Sequence, residues 1–396
     1  MSEQVVKPRI RGFISLTAHP DGCAANVREQ VAAIDAAGLT ASGGTALVLG
    51  SSTGYGLASV LVAAFGLRAK TLGVCFERPP EDDKPASAGW YNLAEARRLA
   101  SERGLTFETV NGDAFSSEVK EGVIARLRAG LGPADLVVYS IAAPRRRGDD
   151  GTIWNSVLKP IGRPYTGLGF DLRNERVVDS NIEPASPEEI ATTVKVMGGE
   201  DWTAWVEALH AAGLLAPGCR TVAYSYIGPE FTAAIYRRGT IGRAKEHLET
   251  TAHQLDRRLQ EAVGGHAWVS INTGVVTQAS AAIPAVPLYM SILFKVLKER
   301  GLYETAVDQI VRLVRDHVGP GLEPRLDPER RIRLDDREMR PEIQQAITEL
   351  WLRARNENLA ETTDYAGYKR DFERLFGFGV DGVDYDAPTE IDRSLG

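Results

Sequence analysis

The segment Gly50-Ser51-Ser52-Thr53-Gly54-Tyr55-Gly56 closes a short apolar run, Thr45-Ala46-Leu47-Val48-Leu49, and opens a helical pattern. A buried strand ended by glycine and followed at once by a helix is the first half of a βαβ unit. Glycines in that turn let a pyrophosphate approach the backbone N–H groups and the positive end of the helix more closely than any Cβ permits. The spacing is G-x-x-x-G-x-G rather than G-x-G-x-x-G, the version seen in short-chain dehydrogenases. The helix is expected from about Tyr55 to Phe65.

The next apolar run, Lys70-Thr71-Leu72-Gly73-Val74-Cys75-Phe76, ends in Glu77, an acid 21 residues past the last glycine. A dinucleotide fold expects an acid about 20 residues on, where its carboxylate accepts hydrogen bonds from the adenosine ribose and repels a 2′-phosphate. Two more apolar runs follow. One leads into Asn111-Gly112-Asp113-Ala114, and the other is Leu136-Val137-Val138-Tyr139-Ser140-Ile141-Ala142-Ala143. Helical patterns at 93–103 and 117–129 separate them, so the chain reads as a doubly wound parallel α/β sheet of Rossmann type. The strand ends at Asp113 and at Ile141-Ala142 are expected to line the cofactor crevice.

Farther on, Tyr224-Ser225-Tyr226-Ile227-Gly228-Pro229 ends another apolar run, and Tyr236 is followed nine residues later by Lys245. Nine steps of about 100° place those two side chains on opposite faces of an unbroken helix. A break near Gly239-Thr240 brings Tyr236 in from the preceding segment and Lys245 from the helix proper. Leu248, Leu255, Leu259 and Val263 then form an apolar stripe at helical period.

Composition narrows the partners. The chain has 396 residues, 46 basic against 53 acidic, for a formal charge of −7, which disfavours nucleic acid or an anionic membrane as a general partner. Cys23, Cys75 and Cys219 are widely spaced, odd in number and without a C-x-x-C, so neither a disulfide framework nor a zinc site is indicated. His19 and Cys23 lack a second ligand pair and read as a structural turn, and His247 and His253 fall on the wetter side of the helix after Lys245. No metal is expected. Early charges at Glu3, Lys7 and Arg9 argue against a signal peptide, and the longest apolar stretch, 279–297, is interrupted by Pro284, Pro287 and Lys295. A cytoplasmic protein without membrane insertion is expected.

From Lys7 to about Ala387 the sequence resembles the trans-2-enoyl-CoA and enoyl-acyl-carrier-protein reductase family, FabV type. The matching stretches are Lys7-Pro8-Arg9-Ile10-Arg11-Gly12-Phe13-Ile14, His19-Pro20-Asp21-Gly22-Cys23, the glycine turn, Gly89-Trp90-Tyr91-Asn92 and Val196-Met197-Gly198-Gly199-Glu200-Asp201-Trp202. Others are residues 223–229, Ile235-Tyr236 with Lys245, Val276-Thr277-Gln278-Ala279-Ser280-Ala281-Ala282-Ile283-Pro284 and Arg333-Leu334-Asp335-Asp336. Arg337 stands where the family often has tryptophan, and residues 165–176 diverge.

The resemblance implies NADH-dependent reduction of the 2,3 double bond of trans-2-enoyl thioesters, carried by coenzyme A or acyl carrier protein, in fatty acid synthesis. It implies that Tyr236 is the proton donor and that Lys245 holds the cofactor ribose. It also implies that Tyr226 contacts substrate. For the cofactor it implies Gly50, Ser51, Ser52, Thr53, Gly54, Tyr55, Phe76, Glu77, Asp113, Ala114, Ile141, Ala142, Val275, Val276 and Thr277; the last three have no signal in the residue patterns themselves. A phenol can stabilise the enolate oxygen and supply a proton, and a nearby ammonium is expected to lower its pKa. Residues 278–297 either flank the acyl chain or form a core helix. A flavin has no support in the sequence.

The expected architecture is a single enlarged domain over 1–396, with an added N-terminal hairpin and C-terminal and lid elements. Its parts are a first NADH-binding half (1–80), a catalytic and substrate-binding region (81–320) and a C-terminal cap (321–396). A monomer is implied. Arg145-Arg146-Arg147 is either a solvated loop or a site that attracts coenzyme A phosphates or an acidic carrier protein. Two other activities use related parts. A short-chain carbonyl reductase or alcohol dehydrogenase normally shows a tighter Y-x3-K, and a non-catalytic NAD(H) sensor has no use for Tyr236.

Overall fold

The computed structural model describes residues 3–12, 14–281 and 285–395. Phe13 and Ala282, Ile283 and Pro284, which belong to the matching stretches, lie outside the described residues. Three two-residue strands, β1 (Glu3–Gln4), β2 (Ile10–Arg11) and β3 (Ile14–Ser15), precede helix α1 (Pro20–Ala37). Strand and helix then alternate through β4 (Thr45–Leu49), α2 (Gly54–Leu61), β5 (Lys70–Cys75), α3 (Ala88–Glu102), β6 (Phe107–Asn111), α4 (Ser117–Arg126) and β7 (Ala134–Tyr139). Two antiparallel hairpins follow, β8 (Arg145–Arg147) with β9 (Ile153–Asn155) and β10 (Tyr165–Asp171) with β11 (Arg176–Ile182). Helices α5 (Pro187–Met197) and α6 (Glu200–Ala211) lead to β12 (Leu215–Ser225), α7 (Thr240–Val263) and β13 (His266–Ile271). The chain ends with α8 (Gln278–Ala281), α9 (Val286–Glu299), α10 (Ala306–Leu313), β14 (Ile332–Arg333), α11 (Pro341–Arg353), α12 (Leu359–Thr362), α13 (Tyr365–Arg374) and β15 (Thr389–Glu390).

Seven strands form the central sheet in the order β14-β13-β12-β7-β4-β5-β6, every neighbouring pair parallel. The chain winds from β4 outward to β6, then returns to place β7 on the other side of β4. The crevice at that reversal is where a doubly wound sheet binds its ligand. Alternation within β4 separates the two faces. Ala46 and Val48 pack with α1, α2, α3 and α10, while Leu47 and Leu49 pack with α4, α6 and α7. Each fully buried leucine contributes about 1.5–3 kcal/mol of transfer free energy. A third core gathers α9, α11 and α13 around Tyr289, Phe294 and Tyr368.

Four elements differ from their expected bounds. The strand expected over 136–143 begins at Ala134 and ends at Tyr139, opposite Leu49, where β4 itself ends; the Ser140 amide still bonds Leu49 O at 2.9 Å. The helix expected from Tyr55 to Phe65 is α-helical only to Leu61 and widens into a π turn over Val62–Gly66. The helix expected over 93–103 starts earlier, at Ala88, and the one over 117–129 turns π-helical from Leu127. The N-terminal hairpin is present as β2 paired with β3, and β1 pairs antiparallel with β15.

Candidate active site

The glycine turn is built for close approach. Gly50 has φ +83°, and a Cβ there would lie 2.6 Å from Ser140 O, at the β4–β7 reversal. A Cβ on Gly56 would fall 1.7 Å from Gly50 O, so the turn and the first turn of α2 fit only without side chains. The Gly50 and Ser51 amides both bond Val74 O at 2.9 Å, fixing the turn to β5. Thr53 precedes α2 and makes no side-chain cap bond, which leaves the helix N-terminus able to receive an anion. These residues fit a dinucleotide pyrophosphate.

Glu77 lies just beyond β5, held through its backbone by Asn111, whose Oδ1 accepts from the Glu77 amide at 2.7 Å and whose Nδ2 donates to its carbonyl at 2.9 Å. The Ser52 hydroxyl donates to the Glu77 carboxylate at 2.5 Å. Gly89 is glycine for the same reason: a Cβ would sit 2.2 Å from Glu77 Oε1. Phe76, beside it, is 77% exposed. A cleft of about 330 Å³ is lined by Thr53, Gly54, Glu77 and Thr277, together with Ser87, Gly89 and Phe376. Thr277 reaches it through a local turn in which its Oγ1 accepts from the Ser280 amide at 3.0 Å and Ser280 Oγ bonds Val275 O at 3.1 Å. Val276 beside it is buried.

The remaining expected cofactor residues follow the other strand ends and do not line that cleft. Asp113 closes a turn through Oδ1 to the Phe115 amide at 3.0 Å, and Ala114 O receives Lys120 Nζ and Trp205 Nε1 at 3.0 and 3.1 Å. Ile141 is half-buried and Ala142 exposed, just past the β7 end. Tyr55 is more engaged than expected. Its hydroxyl donates to Thr273 O at 2.5 Å and lies 2.9 Å from Gln309 Oε1, tying α2 to the β13 end, so its proton is already committed.

Gly239 caps α7, which begins at Thr240. The break expected between Tyr236 and Lys245 is therefore present, and the 3.0 Å bond from the Gly242 amide to Tyr236 O folds the preceding turn onto the helix. Leu248, Leu255 and Leu259 are buried along its inner face, while His247 and His253 are exposed. Tyr236 and Tyr226 meet edge to face, ring centroids 5.2 Å apart. Lys245 is buried, and its Nζ donates to Tyr224 O at 3.0 Å. Burial lowers its pKa to about 8, with Glu249 one helical turn on acting in the opposite direction. Burial raises the Tyr236 phenol above its ordinary value. The expected lowering of that phenol by Lys245 is not met in this structure, because the ammonium is turned to the β12 carbonyl.

Two residues were missed by sequence reasoning. Glu338 is 0% exposed and accepts from the Tyr226 hydroxyl at 2.8 Å, the Tyr289 hydroxyl at 2.6 Å and the Gly274 amide at 3.0 Å. Burial pushes its pKa up to about 7 against the opposing pull of those three donors. Its contacts lie 112, 49 and 64 residues away in sequence, beyond the reach of any local pattern. Tyr289 belongs to α9, in the stretch that was open between acyl wall and core. Its ring is buried in the third core.

The arginine run resolves differently from either reading as a unit. Arg146 packs over Phe115 and Trp154, pairs with Glu200 at 3.2 Å and is mostly buried; Arg145 and Arg147 on the same short strand are exposed. His19 caps α1, its Nδ1 accepting from the Gly22 amide at 3.2 Å. Among the described residues no group of three His, Cys, Asp or Glu could hold a metal, and no helix is long and apolar enough to cross a membrane.

Comparison with known proteins shows the family. Residues 84–318 match the family model of the trans-2-enoyl-CoA reductase catalytic region, and residues 5–82 match the NAD(P)H binding domain of trans-2-enoyl-CoA reductase. Residues 326–389 match an enoyl reductase FAD binding domain. The residues of that last segment do not fit a flavin. The space a Cβ would take at Gly377 is filled by Cys23 N and His19 O, and Tyr368, Phe372, Phe376 and Phe378 are buried in the third core.

The chain is 50% identical to the NADH-dependent enoyl-acyl-carrier-protein reductase of Opitutus terrae, over 98% of each chain. It is 52% identical to that of Burkholderia pseudomallei, over 98% of this chain and 97% of the relative. Its structure matches the Clostridium acetobutulicum trans-2-enoyl-CoA reductase in complex with NADH at a TM-score of 0.95 and 38% identity, covering 99% of this chain and 100% of that one. The Treponema denticola trans-2-enoyl-CoA reductase in complex with NAD matches at 0.92 and 45%, covering 98% of both. With matches that run nearly from end to end, the chain belongs to the trans-2-enoyl-CoA reductase family.

Proposed function

We propose that this chain reduces the 2,3 double bond of trans-2-enoyl thioesters to the saturated acyl thioester, with NADH as reductant, in fatty acid synthesis. The observation that carries the reading is the gathering of Tyr226, Tyr236 and Lys245 around the C-terminal end of β12, which flanks β7 on the side away from β4 and its glycine turn in one parallel sheet. NADH supplies the hydride that reduces the β-carbon.

The chain's own residues hold and protonate. Residues 50–55 and the α2 N-terminus receive the pyrophosphate, and Glu77, preset by Ser52, accepts from the adenosine ribose hydroxyls. Phe76, Asp113, Ala114, Ile141, Ala142, Val275, Val276 and Thr277 contribute the rest of the cofactor wall. Lys245, whose ammonium donates to Tyr224 O in this structure, would donate to the nicotinamide ribose. Tyr236 donates to the thioester carbonyl oxygen as charge collects there, and Tyr226 contacts the same substrate. The Tyr236 phenol, held neutral by burial, is ready to donate across the ordinary pH range.

The substrate is carried by coenzyme A or by acyl carrier protein. The chain is taken as a cytoplasmic monomer and as one enlarged domain, since β14 extends the central sheet from the C-terminal part and β15 pairs with β1 at the N-terminus. Incubation with NADH and a trans-2-enoyl-CoA, followed by mass spectrometry, is expected to give an acyl thioester heavier by two hydrogens. A hydroxyacyl product, or unchanged enoyl thioester with both carriers, would contradict the reading.

A further inference from the structure

Tyr226 is half-buried and faces the site, whereas Glu338 is sealed behind it. A phenol has one O–H. As arranged, that hydrogen goes to Glu338 Oε1, as does the hydrogen of Tyr289, while the Gly274 amide serves Oε2. With an ionised carboxylate, an acceptor only, Tyr226 has no hydrogen left to offer a substrate. One change of protonation releases it. A proton on Oε1 can be donated to the Tyr226 oxygen, Tyr289 can go on donating to Oε1, and Oε2 keeps the Gly274 amide, so that every donor and acceptor in the sealed group stays satisfied.

We propose that Glu338 is a positioning residue for the reduction: protonated in the productive complex, it donates to the Tyr226 oxygen and so frees the Tyr226 hydroxyl to donate to the thioester oxygen. The inference rests on the reading that Tyr226 touches substrate. It is compatible with proton donation from Tyr236, since the role given to Tyr226 is a hydrogen bond and no proton is transferred through it.

The surroundings favour the neutral acid. Tyr226 at the β12 end, Tyr289 on α9 and Asp335 from the loop after β14 face the carboxyl, and Tyr55 on α2 feels its charge. Asp335 is itself bound by Arg333 at 2.7 Å, and among the described residues no cation bonds the Glu338 carboxyl, whose partners are the two phenols and the Gly274 amide. The carboxyl pKa, raised by burial to about 7, lies where a modest change in its surroundings decides the protonation state.

The test is the pH dependence of kcat/KM for wild type, E338Q, E338L and Y226F, each checked for NADH binding. Wild type is expected to lose activity as pH rises through about 7, the value at which the neutral acid disappears. E338Q carries a permanent donor and is expected to lack that fall, exceeding wild type at alkaline pH. E338L, which neither accepts from Tyr226 nor donates to it, is also expected to lack the fall, and to be slower than E338Q because nothing holds the Tyr226 oxygen in place. The later fall governed by Lys245 stays in all of them.

An E338Q that keeps the fall near 7, or that is as impaired as E338L throughout, overturns the role of Glu338. If E338Q does not fold, Y226F decides: it is expected to be slower than wild type and flat through about 7, and a retained fall overturns the inference. A Y226F as active as wild type would instead overturn the substrate contact on which the inference rests.

Discussion

The Lys245 ammonium lies 3.0 Å from Tyr224 O, pointing at the end of β12. Burial has lowered its pKa to about 8, so below that pH it is charged and above it neutral. The lysine offers a ribose its strongest hydrogen bond only while charged. NADH affinity is therefore expected to be constant at lower pH and to weaken as pH rises through about 8. Fluorescence titration of NADH across that range reads it, and Lys245→Met should weaken binding at all pH values and remove the dependence.

Glu249 sits one helical turn beyond Lys245 and raises its pKa, while also pairing with Arg237 at 3.0 Å. Glu249→Gln removes that support. The alkaline weakening of NADH binding should then begin at a lower pH than in wild type. A shift in the other direction, or none, would mean that Lys245 does not govern the titration.

Coenzyme choice should follow Glu77. Its carboxylate, bound by Ser52, faces the cleft wall shared with Arg78. Replacing it by glutamine removes the repulsion of a 2′-phosphate while Arg78 stays. The ratio of kcat/KM for NADPH to that for NADH is expected to rise about tenfold, the equivalent of roughly 1.4 kcal/mol.

Two glycines make a paired stability test. Gly56→Ala places a methyl 1.7 Å from Gly50 O and forces the turn open, which should lower stability by about 2 kcal/mol or more and weaken NADH binding. Gly122→Ala on α4 meets nothing within 4 Å and should be neutral or stabilising by about 0.5–1 kcal/mol. Thermal denaturation of the two variants beside wild type measures both.

Much of this was readable in the residues because it is local. The β4 strand, the glycine turn and the acid after β5 follow from a short apolar run, from backbone clearance and from the length of one βαβ unit. The helix break before Lys245 followed from Gly239 and from the angle nine residues impose. What escaped depends on chain segments far apart. Glu338 is joined to Tyr226 and Tyr289 only through the packing of the C-terminal segment on α9, and nothing near it in sequence marks a buried acid. The Tyr55 hydroxyl is taken up by Thr273, just past β13, and by Gln309 on α10, both more than 200 residues away in sequence. Arg146 read as one of three surface charges until Trp154 and Glu200 enclosed it.

The central claim is that Tyr236 protonates an enoyl thioester reduced at the expense of NADH. Its most direct test is steady-state oxidation of NADH with crotonyl-CoA and a longer trans-2-enoyl-CoA, or with the carrier-protein thioester, comparing wild type with Tyr236→Phe. The account predicts turnover by wild type and a loss of about 100-fold or more in kcat for the variant, with NADH binding kept. A variant that turns over as fast as wild type would contradict it.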